Sequence, residues 1–266
     1  MSKITKALER AKQDMLSNGA APYDERQTAS TPNPTPPPEE MSYTQTQVVE
    51  QFSGTLEPGQ MLSDGEDMGL TDCYALLRTQ VLQRTRALGQ NTIMVTSVGQ
   101  GEGKTLTAIN LAMSMAKEMV QTALLVDMNL RAPMVASYLS LDVERGLADY
   151  LLNDVPIPEL LINPGMKKLI VLPAGKPMSV STEILGSPKM RHLVREMKDK
   201  YPERYVIFDC PHLLGMPDAL IFSSFVDHII LVVEAGKTSS DDIAKTLHLL
   251  KDKPLLGIVL NKVRGA

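Results

Sequence analysis

Apolar residues in this chain gather in short runs at Thr92 to Thr96, Ala123 to Asp127, Lys168 to Leu172, Tyr205 to Asp209, His228 to Val233 and Leu255 to Leu260. Each run has strand length and lacks the strict in/out alternation of a half-exposed strand, so each predicts a strand buried on both faces. Between them the period changes. Tyr74, Leu77, Val81 and Leu82 share one helical face in a segment that begins near Thr71, and further helices are expected over Lys104 to Met119, Thr182 to Lys200 and Ser239 to Leu250. Strands alternating with helices predict an α/β fold, a mainly parallel sheet flanked by helices on both faces. No internal repeat interrupts the pattern.

Ahead of this block the pattern differs. Residues 1–16 place Ile4, Ala7, Leu8, Ala11 and Met15 at helical spacing among Lys3, Lys6, Arg10 and Lys12, a short amphipathic helix suited either to local packing or to docking on a protein partner. Residues 17–61 turn polar, and ASTPNPTPPPEE (Ala29 to Glu40) holds too many prolines for a helix or a sheet, so a disordered tether is expected there. Residues 62–266 then form the one catalytic domain.

Composition narrows the class. With 266 residues and 43% hydrophobic content the chain can bury one core of ordinary size. Lys and Arg number 27 against 31 Asp and Glu, a net charge of -4, which gives no basis for a nucleic-acid surface. Cys73 and Cys210 stand far apart without metal-type spacing, as suits a reducing compartment. No run approaches the roughly 20 apolar residues that cross a bilayer, and the N-terminus has no apolar core of a signal peptide. A cytoplasmic protein without a membrane span is expected, at the inner face of the membrane only if a partner recruits it.

The chemistry concentrates in VGQGEGKT, Val98 to Thr105, which joins the first strand to the following helix. Gly101 and Gly103 permit a tight turn that aims backbone N–H groups inward, and the helix adds its positive end, so the loop suits an oxyanion. Lys104 would meet the β- and γ-phosphates of a nucleoside triphosphate, and the Thr105 hydroxyl would coordinate Mg2+. Val98 occupies the place of the usual first glycine, but the later glycines and the Lys-Thr pair supply most of these contacts. Asp127 in LLVDMNLRAP and Asp209 in VIFDCPH end two strands, so both acids should emerge where such sheets bind ligands, there to hold the metal directly or through water. Either alone would pass for a turn cap. His192, His212, His228 and His248 lack paired metal-ligand spacing, and only His212, just beyond Asp209, lies near the acids in sequence.

VGQGEGKT, DMNLRAP and FDCPHLLGMPDA, in this order, resemble the Walker A, Walker A′ and Walker B motifs of the bacterial tyrosine kinases, cytoplasmic autokinases of exopolysaccharide synthesis. The resemblance runs from about Thr71 to Val263, and SKITKALERAKQ is similar to the start of the separate kinases of exosortase-type systems. It implies a P-loop NTPase fold related to ParA and MinD, with ATP and Mg2+ as cofactors. It implies nucleotide contacts from Gly101, Glu102, Gly103, Lys104, Thr105 and Leu106, with Asn261 reading adenine. It also implies catalytic roles for Lys104, Asp127, Asp209 and Arg131, with Thr105, Asp127 and Asp209 around the metal, and Asp127 activating the tyrosine hydroxyl. The partner so implied is a membrane polysaccharide co-polymerase or chain-length regulator, with homo-oligomers also expected.

The chain departs from that pattern at several positions. The second Walker A′ acid is Asn129, which brings no negative charge. The sequence ends LNKVRGA with no tyrosine cluster, so tail autophosphorylation is not expected. The E-x-x-R-x-x-R assembly helix reads DCYALLR, keeping Asp72 and Arg78 but placing Ala75 at the first arginine. These departures leave open a kinase-like nucleotide switch that hydrolyses ATP without modifying tyrosine. A ParA or MinD-type positioning ATPase is the third reading, opposed by Gly99 where those proteins carry their signature lysine.

Overall fold

The computed structural model of the chain describes residues 47–48, 68–179 and 181–263. The expected N-terminal helix at 1–16 and most of the expected tether lie outside the described residues. Eight strands form one sheet: β1 (Gln47–Val48), β2 (Thr92–Ser97), β3 (Thr122–Asp127), β4 (Ile162–Asn163), β5 (Leu169–Leu172), β6 (Arg204–Asp209), β7 (His228–Glu234) and β8 (Leu255–Asn261). Their spatial order is β1-β4-β5-β3-β6-β2-β7-β8, and every pairing is parallel except β4 with β5. Gln47–Val48 fall inside the span expected to be a tether, yet pair in register with Ile162 and Asn163. The pair stands beyond the proline-rich stretch, so nothing local prevents it from extending an open sheet edge.

The six expected strands occur within one or two residues of their anticipated bounds. All six residues of β2 and of β3 are buried, because successive side chains enter opposite layers of core. Ile93 and Val95 pack on one side of the sheet with Leu125 and Ile207, while Met94 packs on the other with Leu124, Val206 and Phe208. The first layer is covered by α1 (Met68–Thr85) and α2 (Lys104–Ala116), the second by α3 (Pro188–Lys200) and α4 (Ser240–Leu249). Tyr74 and Val81 are buried and Leu77 and Leu82 half-buried against this first layer, the face read from their spacing.

Two expected helices differ from their expected course. The stretch expected from Thr182 to Lys200 divides into Ser181–Leu185 and α3, because the Ser187 hydroxyl accepts the N–H of Met190 at 3.2 Å and Pro188 opens a new first turn. Helix α2 ends at Ala116 rather than Met119, and the carbonyls of Glu118 and Met119 are taken by the Lys168 ammonium at 3.0 and 2.7 Å. Arg78, a remnant of the assembly pattern, donates to the Ser114 carbonyl at 2.9 Å and so holds α1 on α2 within the chain.

Candidate nucleotide and metal site

The loop after β2 follows the demands of its residues. Gly101 and Gly103 have φ of 81° and 96°, a region closed to most side chains, and α2 starts directly at Lys104. Val98 is buried in the second core layer and its carbonyl accepts the N–H of Leu214 at 3.1 Å, so the position of the missing glycine is a core position. The rest of the loop is braced from the ends of β7 and β8. The Asn261 amide donates to the Glu102 carbonyl at 2.9 Å, the Lys262 ammonium donates to the Gly101 carbonyl at 2.7 Å, and the Thr238 hydroxyl donates to the buried Glu102 carboxylate at 2.6 Å. A Cβ on Gly103 would stand 2.0 Å from the Asn261 amide nitrogen. This glycine is therefore required twice, by its φ and by its neighbour.

Lys104, Thr105 and Asp209 converge. The Thr105 hydroxyl donates to Asp209 at 2.7 Å, and the Lys104 ammonium lies 3.0 Å from that hydroxyl and 3.4 Å from the other Asp209 oxygen. Asp127 and Asp209 are cross-strand partners at the ends of β3 and β6, both fully buried. Burial, and then the charge of Asp209, push the Asp127 carboxyl up to about 7, against the pull of the Val135 and Asn129 N–H groups. Burial also raises Asp209, opposed by Lys104 and the Thr105 hydroxyl. These hydroxyl and carboxylate oxygens are the hard donors that suit Mg2+.

Asp127 also has structural work. One oxygen accepts the N–H groups of Met134 and Val135, each at 3.0 Å, and the other accepts the N–H of Asn129 at 3.0 Å. It thus caps the short helix Val135–Tyr138 and shapes the loop after β3. One lone pair on the oxygen facing Asn129 is left over from these bonds. The Asn129 side chain donates to the Ala132 carbonyl at 2.6 Å, a bond that a carboxylate cannot make.

Arg131 stands apart from the loop. Its guanidinium bonds the buried carboxylate of Asp218 at 2.8 Å, the Ser179 carbonyl at 2.8 Å and the Thr182 hydroxyl at 3.0 Å. The Cys210 thiol is buried, with its pKa pushed well up by burial. His212 is half-buried, and burial together with the Lys104 charge lowers its pKa, favouring the neutral ring. Lys262, Thr238 and Asp218 were not among the site residues expected from the sequence. Lys262 follows Asn261 in IVLNKV, Asp218 lies within FDCPHLLGMPDA and Thr238 within VVEAGKTSSDD, so all three were within reach of the segments that carry the resemblance.

A family model described as an AAA domain matches residues 90–254. The chain is 34% identical over 191 residues to the tyrosine-protein kinase YwqD of Bacillus subtilis (strain 168), across 71% of this chain and 79% of that protein. It is 31% identical over 175 residues to the succinoglycan biosynthesis transport protein ExoP of Rhizobium meliloti (strain 1021), across 64% of this chain and 22% of that protein. Among solved structures, the kinase domain of the Escherichia coli tyrosine kinase ETK superposes with a TM-score of 0.67 at 25% identity, covering 74% of this chain and 77% of that one.

Proposed function

The chain belongs to the bacterial tyrosine-protein kinases, and on that premise we propose that it transfers the γ-phosphoryl group of ATP to tyrosine in a system that polymerises or exports an exopolysaccharide. The observation that carries this reading is the convergence of Lys104, Thr105 and Asp209 at the start of α2, with Asp127 beside them on β3. In this reading the N–H groups from Gly101 to Leu106 cradle the phosphates, Lys104 neutralises charge on the β- and γ-oxygens, and Asn261, already against the loop, meets the adenine. Thr105, Asp209 and Asp127 would hold Mg2+, which when bound offsets the charge of the transferring group. Asp127, meeting the metal through water in this reading, uses its one spare lone pair to take the proton of the tyrosine hydroxyl as the phenolic oxygen meets phosphorus. Arg131, now held by Asp218, Ser179 and Thr182, would reach the phosphates only by exchanging those partners.

The partner in this reading is a membrane-embedded co-polymerase or chain-length regulator, in keeping with the polysaccharide role that ExoP's name carries. No helix among the described residues is long and apolar enough to cross a membrane. The cytoplasmic chain would then reach the inner face of the membrane through that partner, with its own copies as further partners. A second reading, a nucleotide switch, is favoured by the Asn129 side chain, which is committed to the Ala132 carbonyl where the family places a second acid. Incubation of the purified chain with labelled ATP and magnesium, followed by separation of phosphotyrosine from free phosphate, tests the two. Phosphotyrosine supports the kinase, and free phosphate alone supports the switch.

A further inference from the structure

The five described tyrosines differ sharply in access. Tyr74 is buried, Tyr205 is buried with its hydroxyl bonded to Thr85 at 2.8 Å, and Tyr138 and Tyr150 are half-buried. Tyr201, on the turn between α3 and β6, is the one described tyrosine that is exposed, at 37%. Two cations attend it. The Arg204 guanidinium lies 4.0 Å from the ring centroid and the Lys200 ammonium 5.9 Å from it. A phosphate on this ring would add about -1.5 to -2 charges at neutral pH. Both cations stand near enough to the ring to offset that charge.

Topology decides which active site can reach Tyr201. Its carbonyl accepts the Arg204 N–H at 3.0 Å, so it sits at the start of β6, whereas Asp209 ends the same strand. At roughly 3.3 Å per residue, the two ends of β6 are roughly 17 Å apart. The sheet lies between them, and a tyrosine at one edge cannot enter the site at the other edge of its own chain. Resting on the kinase reading above, we propose that Tyr201 is a phosphorylation site modified in trans by a second copy of this chain. The Tyr201 hydroxyl oxygen forms the new bond to the γ-phosphorus of the second copy's ATP, and the bond to the β,γ-bridging oxygen breaks. ADP leaves with that electron pair, and the phenolic proton passes to Asp127 of the copy holding the ATP and then to solvent.

The test mixes isotope-labelled full-length Lys104→Ala chain, as acceptor, with unlabelled wild type and magnesium-ATP, and maps phosphate by mass spectrometry. The expected result is phosphate on Tyr201 of the labelled chain, accumulating twice as fast when wild type is doubled. Should Lys104→Ala fold poorly, wild type alone serves, with the per-chain rate of Tyr201 modification rising in proportion to protein concentration. Phosphotyrosine elsewhere on the chain, Tyr23 and Tyr43 included, with Tyr201 unmodified would overturn this proposal and leave the kinase reading standing. Phosphate on Tyr201 of the unlabelled wild type with the labelled Lys104→Ala chain left unmodified would overturn transfer in trans. Absence of phosphotyrosine both on this chain and on an added glutamate-tyrosine copolymer would overturn the kinase reading and this proposal together.

Discussion

Asp127 and Asp209 stand directly opposite each other at the ends of β3 and β6, two carboxyl groups without solvent exposure and with Lys104 as the cation that the structure pairs with Asp209. Burial and the second acid hold the folded-state pKa of Asp127 at about 7, above its ordinary value of 3.8. The folded chain therefore binds a proton that the unfolded chain has released between those values. The stability gained from it is complete below about pH 4 and is lost as pH rises through 7.

The nucleotide-free and metal-free protein is accordingly expected to lose thermal stability from pH 5 to 8 through this group, by on the order of a few kcal/mol. His212 and His228, with pKa values lowered by burial, contribute the opposite slope. Melting curves of wild type and Asp127→Asn across this range isolate the acid, and equal pH slopes would remove Asp127 as its source.

Lys104→Ala should weaken ATP binding roughly ten- to a hundredfold, the worth of a hydrogen bond to a charged group at ~1.5–3 kcal/mol. Calorimetry with magnesium measures it. An unchanged Kd would show that Lys104 serves Asp209 alone.

Gly103→Ala meets both a positive φ and the Asn261 amide at 2.0 Å. A loss of roughly 1–3 kcal/mol is expected from backbone strain, together with loss of ATP binding. Adding Asn261→Ala should relieve the clash but not the φ strain. Chemical denaturation of the single and double variants separates the two parts, and a double variant no more stable than Gly103→Ala would show that the contact with Asn261 is inconsequential.

Asn129→Asp restores the family's second acid but breaks the bond to the Ala132 carbonyl. Without metal the variant should be less stable by roughly 1–3 kcal/mol, since two acceptors then face each other. With magnesium it should regain stability and bind the ion more tightly than wild type. Thermal shifts against magnesium concentration give both numbers, and identical magnesium dependence would show that Asn129 does not limit the metal site.

Much of this protein was legible along the chain because the signals are local. Six strands could be read because each is an apolar run of strand length, and the phosphate loop because Gly101, Gly103, Lys104 and Thr105 act within one turn of backbone. The strands β1 and β4 were not legible, since two residues carry no period and each exists only by pairing at the sheet edge. The division before α3 was written in Gly186, Ser187 and Pro188, but the apolar spacing on either side concealed it.

What tertiary structure alone decided is the company each polar group keeps. Sequence placed Asp127 and Asp209 at strand ends; only the strand order put β3 beside β6, so that the charge of Asp209 raises the proton affinity of Asp127. Sequence singled out Arg131, but its bond to Asp218 spans 87 positions. Asn261 and Lys262 brace a loop about 160 residues behind them, because the parallel strands β2, β7 and β8 bring their C-terminal ends to one edge of the sheet, however far apart they lie in the chain.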